Sequence, residues 1–310
     1  MRVRFLSHDE AVREFDSSYY LHSHSPAEIS LKLSRYCNDS SKQLLQCYSS
    51  KIRPFSNDEK HLLKFYFKRV YAHLCRKAPW LLPNKRKVGL IRLDHGVDWN
   101  APFTINHSIV IPERVLRLMA AGYKKYKRIG RSSSAKHCVT TLCHEFIHII
   151  QRYPELYPYQ ASIFNRMYKK WGFIQIQSSQ LDWSQVDMTK FLPLRTNPDG
   201  LNFQWLFPLR GTLYMPIFGE IGGDEKTMGQ MGGALVRVIQ NDDKFIVTND
   251  WDYTKNFKDY LQLFYNRDEQ LYHPNEIIAI YLCDVFMYCT AINIKACREK
   301  RSGFAIRILH

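Results

Sequence analysis

Several features are scarce in this sequence, and each scarcity limits what the protein can be. Acidic residues are few, since 29 Asp and Glu stand against 44 Lys and Arg among 310 residues, for a formal net charge of +15. Glycine and proline number only 14 and 13, and no segment is dominated by Gly, Ser or Pro, which argues against extended disorder. With 45% hydrophobic residues, the chain is expected to bury a large core in one or two domains.

Cysteine-pair and nucleotide-binding motifs are missing as well. The eight cysteines form no Cys-x-x-Cys pattern, and most fall in apolar helical patterns, so we expect buried free thiols and a reducing compartment. The Gly-rich segment 219–223 lacks the Gly-Lys-Ser/Thr ending of a P-loop. The sequence therefore gives little support to a disulfide scaffold or a nucleotide-binding protein.

Targeting and membrane segments are not evident either. Residues 1–5 lead into charged residues without an apolar stretch, so no secretory signal is expected. The apolar run 277–294 is nearly long enough to span a bilayer, but Asp284 within it and Glu276 at its head favour a buried core helix. We therefore expect a soluble intracellular protein that is not secreted and has no transmembrane segment.

One motif in the chain carries a specific chemistry. Residues 144–148 read His-Glu-Phe-Ile-His within an apolar run that has no Pro or Gly, as in a buried helix. On a helix, His144 and His148 are one turn apart and rotated by only about 40°, so both imidazoles can reach one ion. Glu145 lies about 100° round the helix and can address a water on that ion. The motif predicts a catalytic Zn²⁺ site with Glu145 as general base; the alternative is an amphipathic helix with two core histidines.

A catalytic zinc site needs a third protein ligand. The preferred candidate is Glu276, which follows His-Pro-Asn, because Pro274 suits the first turn of a helix and an apolar helix follows. Rival ligands are Glu220, in the Gly-rich segment, and His273. The alternative for Glu276 is a first-turn carboxylate that the helix dipole favours.

Capping signals, periodicity and turn residues divide the remainder of the chain. Residues 1–87 are expected to be mainly helical, as a scaffold or partner-binding region. The predicted elements are helices from Ser25 to about Tyr48 and from the capping box at 56–59 to about Lys77, strands at 88–93 and 103–111, a short helix from Pro112, a basic Ser-rich loop from Lys124 to Ser134, helices ending before Pro154 and spanning about 159–171, and strands at 234–239 and 245–249.

Two motifs together resemble a known family. HEFIHIIQR followed downstream by HPNEIIA looks like the gluzincin class of zinc metallopeptidases, in which a Glu on a later helix completes a His-His-Glu site. Over about residues 88–297 the layout is similar to predicted metalloproteases of large DNA viruses and phages. Two features depart from the family: the third ligand follows the second His at a longer distance, and Ile280 occupies the position of an Asp. Asp284, one turn further, is the candidate to orient the histidines.

The resemblance implies a fold and an activity. The expected fold is α+β, mostly helical and zincin-like, with a small mixed or antiparallel sheet beside the HExxH helix. A helical N-terminal region, 1–87, would precede a catalytic domain, 88–310, which carries a long insertion at about 173–270. The expected activity is a zinc-dependent endopeptidase that uses a zinc-activated water on a protein or peptide substrate, in the cytoplasm or associated with a virion. Candidate residues for oxyanion or substrate contacts are Tyr214, Arg210, Tyr265, Tyr272 and His273.

The excess of basic residues leaves a second function open. A net charge of +15 predicts attraction to an anionic partner, such as nucleic acid or an acidic protein, although a solvated basic surface gives the same composition. The alternative to a peptidase is therefore a nucleic-acid-associated or virion structural protein with a protease-like fold.

Overall fold

The computed structural model describes residues 2–18, 21, 29, 41–82, 87–96, 100–187, 191–193, 203–221, 230–264 and 273–288. Its helices in this part of the chain are α1 (His8–Asp16), α2 (Ser41–Lys51), α3 (Asn57–Lys77), α4 (Glu113–Ile129), α5 (Ser133–Arg152), α6 (Pro158–Lys170), α7 (Lys258–Leu263) and α8 (Pro274–Tyr288). Its strands are β1 (Arg2–Phe5), β2 (Ile52–Arg53), β3 (Lys87–Leu93), β4 (Phe103–Ile105), β5 (Ser108–Pro112), β6 (Ile174–Gln177), β7 (Leu181–Asp182), β8 (Phe191–Pro193), β9 (Phe203–Leu209), β10 (Thr212–Ile221), β11 (Gln230–Asn241) and β12 (Lys244–Tyr253). The described residues up to Ala161, together with Tyr281–Tyr288, form one compact unit, and those within Ser162–Ile280 form a second.

A mixed five-stranded sheet forms one layer of the first unit. Its strand order is β1-β3-β5-β4, and β2 also pairs with β3. Strands β1 and β5 run parallel to β3, whereas β2 is antiparallel to β3 and β4 to β5. Residues 1–87, expected to be helical, thus also supply β1 and β2, and pairing with β3 joins them to the following segment. Two strands of four and two residues are too short for a periodic pattern to reveal.

The segment expected as one strand, 103–111, is a hairpin of β4 and β5. The chain reverses between Ile105 and Ser108, which pair with each other. Asn106 has a φ of 44° at this reversal, in a region of backbone conformation that Asn adopts more readily than most residues. The prediction of a single strand was therefore wrong. It arose because β-branched residues on both sides of Asn106 give one continuous strand pattern.

Two helices of the first unit show how capping sets their limits. Helix α3 begins as predicted, because Ser56 and Glu59 form the reciprocal hydrogen bonds of a capping box. Helix α4 is longer than expected, and Lys124 to Arg128 lie on its last turns instead of in a loop. Lys and Arg are good helix formers and favour a helix C-terminus, and Gly130 ends the helix with a φ of 69°.

Helix α5 carries the HExxH motif and packs on both layers of the first unit. It contacts α3 and α4 on one side and β4 and β5 on the other. A Cβ atom on Gly122 of α4 would lie 2.9 Å from the backbone nitrogen of Ala135, so only glycine permits this close approach. Arg152 donates a 2.7 Å hydrogen bond to Thr104 Oγ1 of β4. The expected α+β class is therefore confirmed, whereas the zincin-like assignment remains a prediction.

The second unit is built around a seven-stranded sheet, where short strands and turns were expected. Its order is β6-β9-β10-β11-β12-β7, with β8 paired to β10. All pairs are antiparallel except β12 with β7. The two predicted strands lie within β11 and β12, and α6 is confirmed, with Gly172 at a φ of 85° just after it. The side chains of one core cluster come from five strands: Ile176, Leu206, Met215, Ile217, Ala234, Val236, Val238, Phe245 and Val247.

Helix α8 confirms the predicted start at Pro274 and is shared by both units. Residues Pro274 to Ile280 group with the second unit and Tyr281–Tyr288 with the first. Over the part of the chain that is described, none of the helices combines the length and the apolar character that a bilayer span requires. Most of the predicted helix from Ser25 lies outside the described residues, apart from its end in α2.

Candidate metal centre

Local sequence explains why α5 can present polar groups from a buried position. Ser132 caps the helix by accepting a hydrogen bond from the backbone of Ala135. Leu142, Phe146 and Ile150 are fully buried and fix the rotation of the helix about its axis. The motif side chains that share this buried environment are therefore held in place by packing on both sides of them.

The two motif histidines point at the same place. His144 Nε2 and His148 Nε2 are 2.8 Å apart, and their rings are nearly perpendicular at 87°. Two nitrogen ligands of a tetrahedral zinc ion, each about 2.0–2.1 Å from the metal, are about 3.3 Å apart. A small rotation of one ring would give this separation. The imidazoles are therefore already oriented as ligands of one ion.

Gln151 holds His148 in the ligating orientation. His148 Nδ1 donates a 2.8 Å hydrogen bond to Gln151 Oε1, because an amide oxygen can only accept. The lone pair of the ring is then on Nε2, which faces His144. Metal-binding histidines are commonly oriented by such a bond from their other nitrogen. Sequence reasoning missed Gln151, although its spacing of three residues from His148 places both side chains on one face of the helix.

Helix α8 brings the predicted third ligand to the histidines. The ligand atoms of His144, His148 and Glu276 all lie within 4.8 Å of one another. Glu276 is only 5% exposed and His148 1%. These three side chains can hold a metal ion, and the identity of that metal is not fixed by their positions. Glu276 thus lies where the predicted third ligand would have to be, and its role as a zinc ligand stays a prediction.

The start of α8 is fixed by hydrogen bonds within the second unit. His273 Nδ1 accepts a 3.1 Å hydrogen bond from the backbone of Asn275, in the manner of a helix cap. Asn275 Oδ1 accepts a 2.5 Å hydrogen bond from the Tyr168 hydroxyl. Both contacts involve Asn275, the residue before Glu276, and orient the first turn that carries Glu276. His273, a rival ligand and a candidate oxyanion residue, therefore uses its Nδ1 as a cap.

The other end of α8 contacts α5 through a pair of buried thiols. Cys283 donates a 3.6 Å hydrogen bond to the carbonyl oxygen of Thr140. Burial raises the pKa of the Cys283 thiol well above its usual range, and a hydrogen bond with Cys143, then the charges of Cys143, Asp284 and Glu145, add to this effect. Glu276 lies seven residues from Cys283, or about 10 Å along α8, and His144 and His148 lie about 6 and 12 Å from Thr140 along α5.

Three cysteines and Asp284 lie near α5 or α8 in surroundings that bear on the sequence predictions. Cys138, Cys143 and Cys283 are buried free thiols as expected, whereas Cys75 is exposed. Asp284 lies next to Cys283 and acts on its pKa. The orienting contact that the structure shows for His148 comes from Gln151, so Asp284 stays a prediction in that role.

The general-base candidate is also buried. Glu145 is 6% exposed, and its charge contributes to the raised pKa of Cys283, so its carboxylate lies within electrostatic reach of α8. A buried carboxylate is costly unless a cation or hydrogen bonds offset the lost solvation. Glu145 and Glu276 are both buried carboxylates, and a divalent cation is one partner that would offset the cost of burying them.

The remaining candidates from the sequence have other surroundings. Tyr214 on β10 packs its ring edge-on against Phe257, 5.2 Å between centroids. Arg210 lies in the β9–β10 turn and forms a 2.6 Å ion pair with Asp259. Glu220 is on β10, and only its backbone is described. Two further candidates, Tyr265 and Tyr272, lie outside the described residues.

A second group of potential metal ligands lies in the first unit. The ligand atoms of Asp94, His95 and Glu113 are also within 4.8 Å of one another. Here, however, Asp94 pairs with Arg53 at 3.4 Å and Glu113 with Arg117 at 2.7 Å. The His95 side chain is 75% exposed. Arginines already neutralise the negative charges of these two carboxylates, so this group is less suited to binding a metal ion.

Comparisons with known proteins add no assignment. No protein-family model, no curated protein and no solved structure matches this chain. The resemblance to gluzincins therefore remains a prediction that the two motifs carry.

Proposed function

We propose that the protein is a zinc-dependent metallopeptidase that cleaves internal peptide bonds. One observation carries the proposal: the ligand atoms of His144, His148 and Glu276, from two helices distant in sequence, converge within 4.8 Å. Convergence of all three members of the predicted set is not expected of an ordinary amphipathic helix, in which core histidines need only local hydrogen bonds.

The donor set fits zinc better than it fits a hard cation. Two imidazole nitrogens and one carboxylate are the ligands of many catalytic zinc sites, whereas calcium and magnesium are bound mainly by oxygen. The imidazole of His148 is held with Nε2 toward His144. Three protein ligands leave one tetrahedral position for water or substrate.

Zinc and Glu145 have separate roles in the proposed reaction. When bound, zinc supplies a Lewis acid for the attacking water and the scissile carbonyl. Glu145 follows His144 directly, and its carboxylate accepts the proton of the water and then donates it to the leaving amine. The burial of Glu145 restricts the motion of its carboxylate, which would favour a fixed position for this proton transfer.

The replacement Glu145→Gln tests this proposal. We expect proteolysis of a fluorescent casein to fall by about 10²–10⁴-fold, because general acid-base catalysis is lost. Zinc content should remain near that of the unchanged protein, since Glu145 is not a ligand. Glu155→Gln removes one exposed carboxylate just after the same helix and serves as the matched control.

Two results decide the assignment. Loss of casein cleavage with 1,10-phenanthroline and recovery with added zinc would support a metal-dependent reaction. A Glu145→Gln protein with undiminished activity would contradict the role of the base. Zinc binding without any cleavage would instead favour the alternative, a nucleic-acid-associated or virion structural protein with a protease-like fold, for which the surface charge provides support.

A further inference from the structure

Three neighbouring helices of the first unit carry long stretches that are basic and contain no acidic residue. No Asp or Glu occurs from residue 60 to 82, which covers α3 after its first turn, or from 114 to 144, which covers α4 after Glu113 and the first turns of α5. Helix α4 contacts both α3 and α5, and α3 contacts α5. A basic stretch on one helix is usually a solvated surface. Here the same charge bias recurs on three helices that pack together.

Several cations of these helices lie near side chains of a neighbouring helix. The basic face consists of Arg69, Arg76 and Lys77 on α3, Lys124, Lys125, Lys127 and Arg128 on α4, Arg131, and Lys136 on α5. Arg69 joins α3 to α4, because its guanidinium lies 4.1 Å from the ring centre of Tyr126. Burial lowers the pKa of His73 on α3, and nearby positive charges lower it further. These charges belong to Arg76, Arg69 and Lys77 on α3 and to Lys136 on α5.

Aromatic rings are interleaved with these charges. Arg69 also lies 4.7 Å from the ring centre of Phe65, and Lys127 lies 5.9 Å from that of Tyr123. Stacking on rings holds a guanidinium plane in a fixed orientation. Preordered cations lose less side-chain entropy when they bind an anion, which suits repeated contacts with phosphates.

We propose that the basic face binds the phosphate backbone of nucleic acid. Phosphates along a nucleic acid form a dense row of single charges, which matches cations spread over three helices better than an isolated anion does. Binding to an anionic membrane is stronger when exposed apolar surface adds to the charge. The exposed large apolar side chains on α3 and α4 are Tyr71, Leu118 and Ile129, at 42%, 53% and 48% exposure, against the nine cations of the basic face. The proposal is independent of the metal centre and of peptidase activity.

Fluorescence anisotropy of the full chain with a labelled 24-base-pair DNA duplex tests the proposal. The test variant replaces Lys124, Lys125 and Arg128 with Gln; all three side chains are exposed near the end of α4. The matched control replaces Arg166, Lys169 and Lys170 with Gln, which removes the same residue types from exposed positions near the end of α6.

The expected results differ between the two variants. In 0.1 M salt, the test variant should bind the duplex at least about tenfold more weakly, and its slope of log K against log salt should be smaller by about 0.9 for each lost phosphate contact. The control should bind within about twofold of the unchanged protein, because its cations lie outside the basic face.

Several outcomes would overturn the proposal. Equal loss of affinity in both variants would show an effect of net charge alone. Absence of duplex binding, combined with sedimentation on vesicles of phosphatidylserine and phosphatidylcholine, would assign the face to a membrane. Circular dichroism of both variants should match the unchanged protein, and a test variant that is folded but binds with unaltered affinity would also contradict the proposal.

Discussion

Two groups of potential metal ligands occur in the described chain, and their surroundings differ. His148 and Glu276 in the first group are buried, and His148 is oriented by Gln151. In the second group His95 is exposed, and the carboxylates of Asp94 and Glu113 are paired with arginines. Both groups meet the same distance limit of 4.8 Å. Distance alone therefore does not separate a metal centre from an ion-pair cluster.

The difference between the two groups shows how burial and orientation distinguish a metal site from a cluster of surface ion pairs. Exposed ion pairs contribute little and tolerate rearrangement, because water solvates each partner nearly as well. Buried carboxylates and imidazoles that face one another are costly to assemble, so they occur where a function or a strong interaction offsets that cost. The first group is therefore the one in which a metal is expected, and replacements in both groups test this comparison.

The largest effect is expected for His148→Ala. The buried ligand is lost and its place on α5 cannot be taken by a neighbouring side chain, so zinc content should fall from about one ion per chain to nearly none. Inductively coupled plasma mass spectrometry of the purified protein measures this. Retention of a full equivalent of zinc would contradict the comparison.

A smaller but still large effect is expected for Glu276→Gln. Loss of the anionic ligand should weaken zinc binding by more than about 100-fold, which exceeds the usual effect of a residue that only orients a ligand. Competition with a fluorescent zinc chelator gives the affinity. Glu113→Gln in the second group is the control, and an unchanged affinity in Glu276→Gln would transfer the third-ligand role to His273 or Glu220.

A moderate effect is expected for Gln151→Leu. His148 Nδ1 loses its acceptor, so the ring is oriented less firmly, and zinc affinity should fall by about 10- to 100-fold. Gln151→Glu should restore most of the affinity, because a carboxylate also accepts the Nδ1 proton. If the two variants lose equal affinity, the contact is a packing contact without a role in orienting the imidazole.

The smallest effect is expected for His95→Ala. The exposed imidazole belongs to the group whose carboxylates are already compensated, so zinc content and casein cleavage should stay within about twofold of the unchanged protein. The same two assays apply. Loss of the bound ion in this variant would show that the second group, not the first, is the metal centre.

Local features of the site could be predicted from the sequence, since they depend on helix geometry alone. The positions of His144 and His148 on one face of α5 follow from the spacing of four residues. The capping box of α3 and the Pro at the start of α8 likewise determine where those helices begin. Each of these predictions required only neighbouring residues.

Long-range features could not be derived in this way. The approach of Glu276 to the histidines depends on how α8 packs on α5, which no local pattern specifies. The hairpin turn at Asn106 was missed because β-branched residues on both sides gave one strand signal. The seven-stranded sheet of the second unit was underestimated, because pairing partners such as β6 and β9 are separated by segments that carry turn signals.

The central claim is that one metal ion lies between α5 and α8. An anomalous difference map from crystals of the zinc-loaded protein, measured at the zinc absorption edge, tests it most directly. The account predicts a single strong peak in contact with His144 Nε2, His148 Nε2 and the Glu276 carboxylate. A map with no peak there, or with its peak at Asp94, His95 and Glu113, would contradict the account.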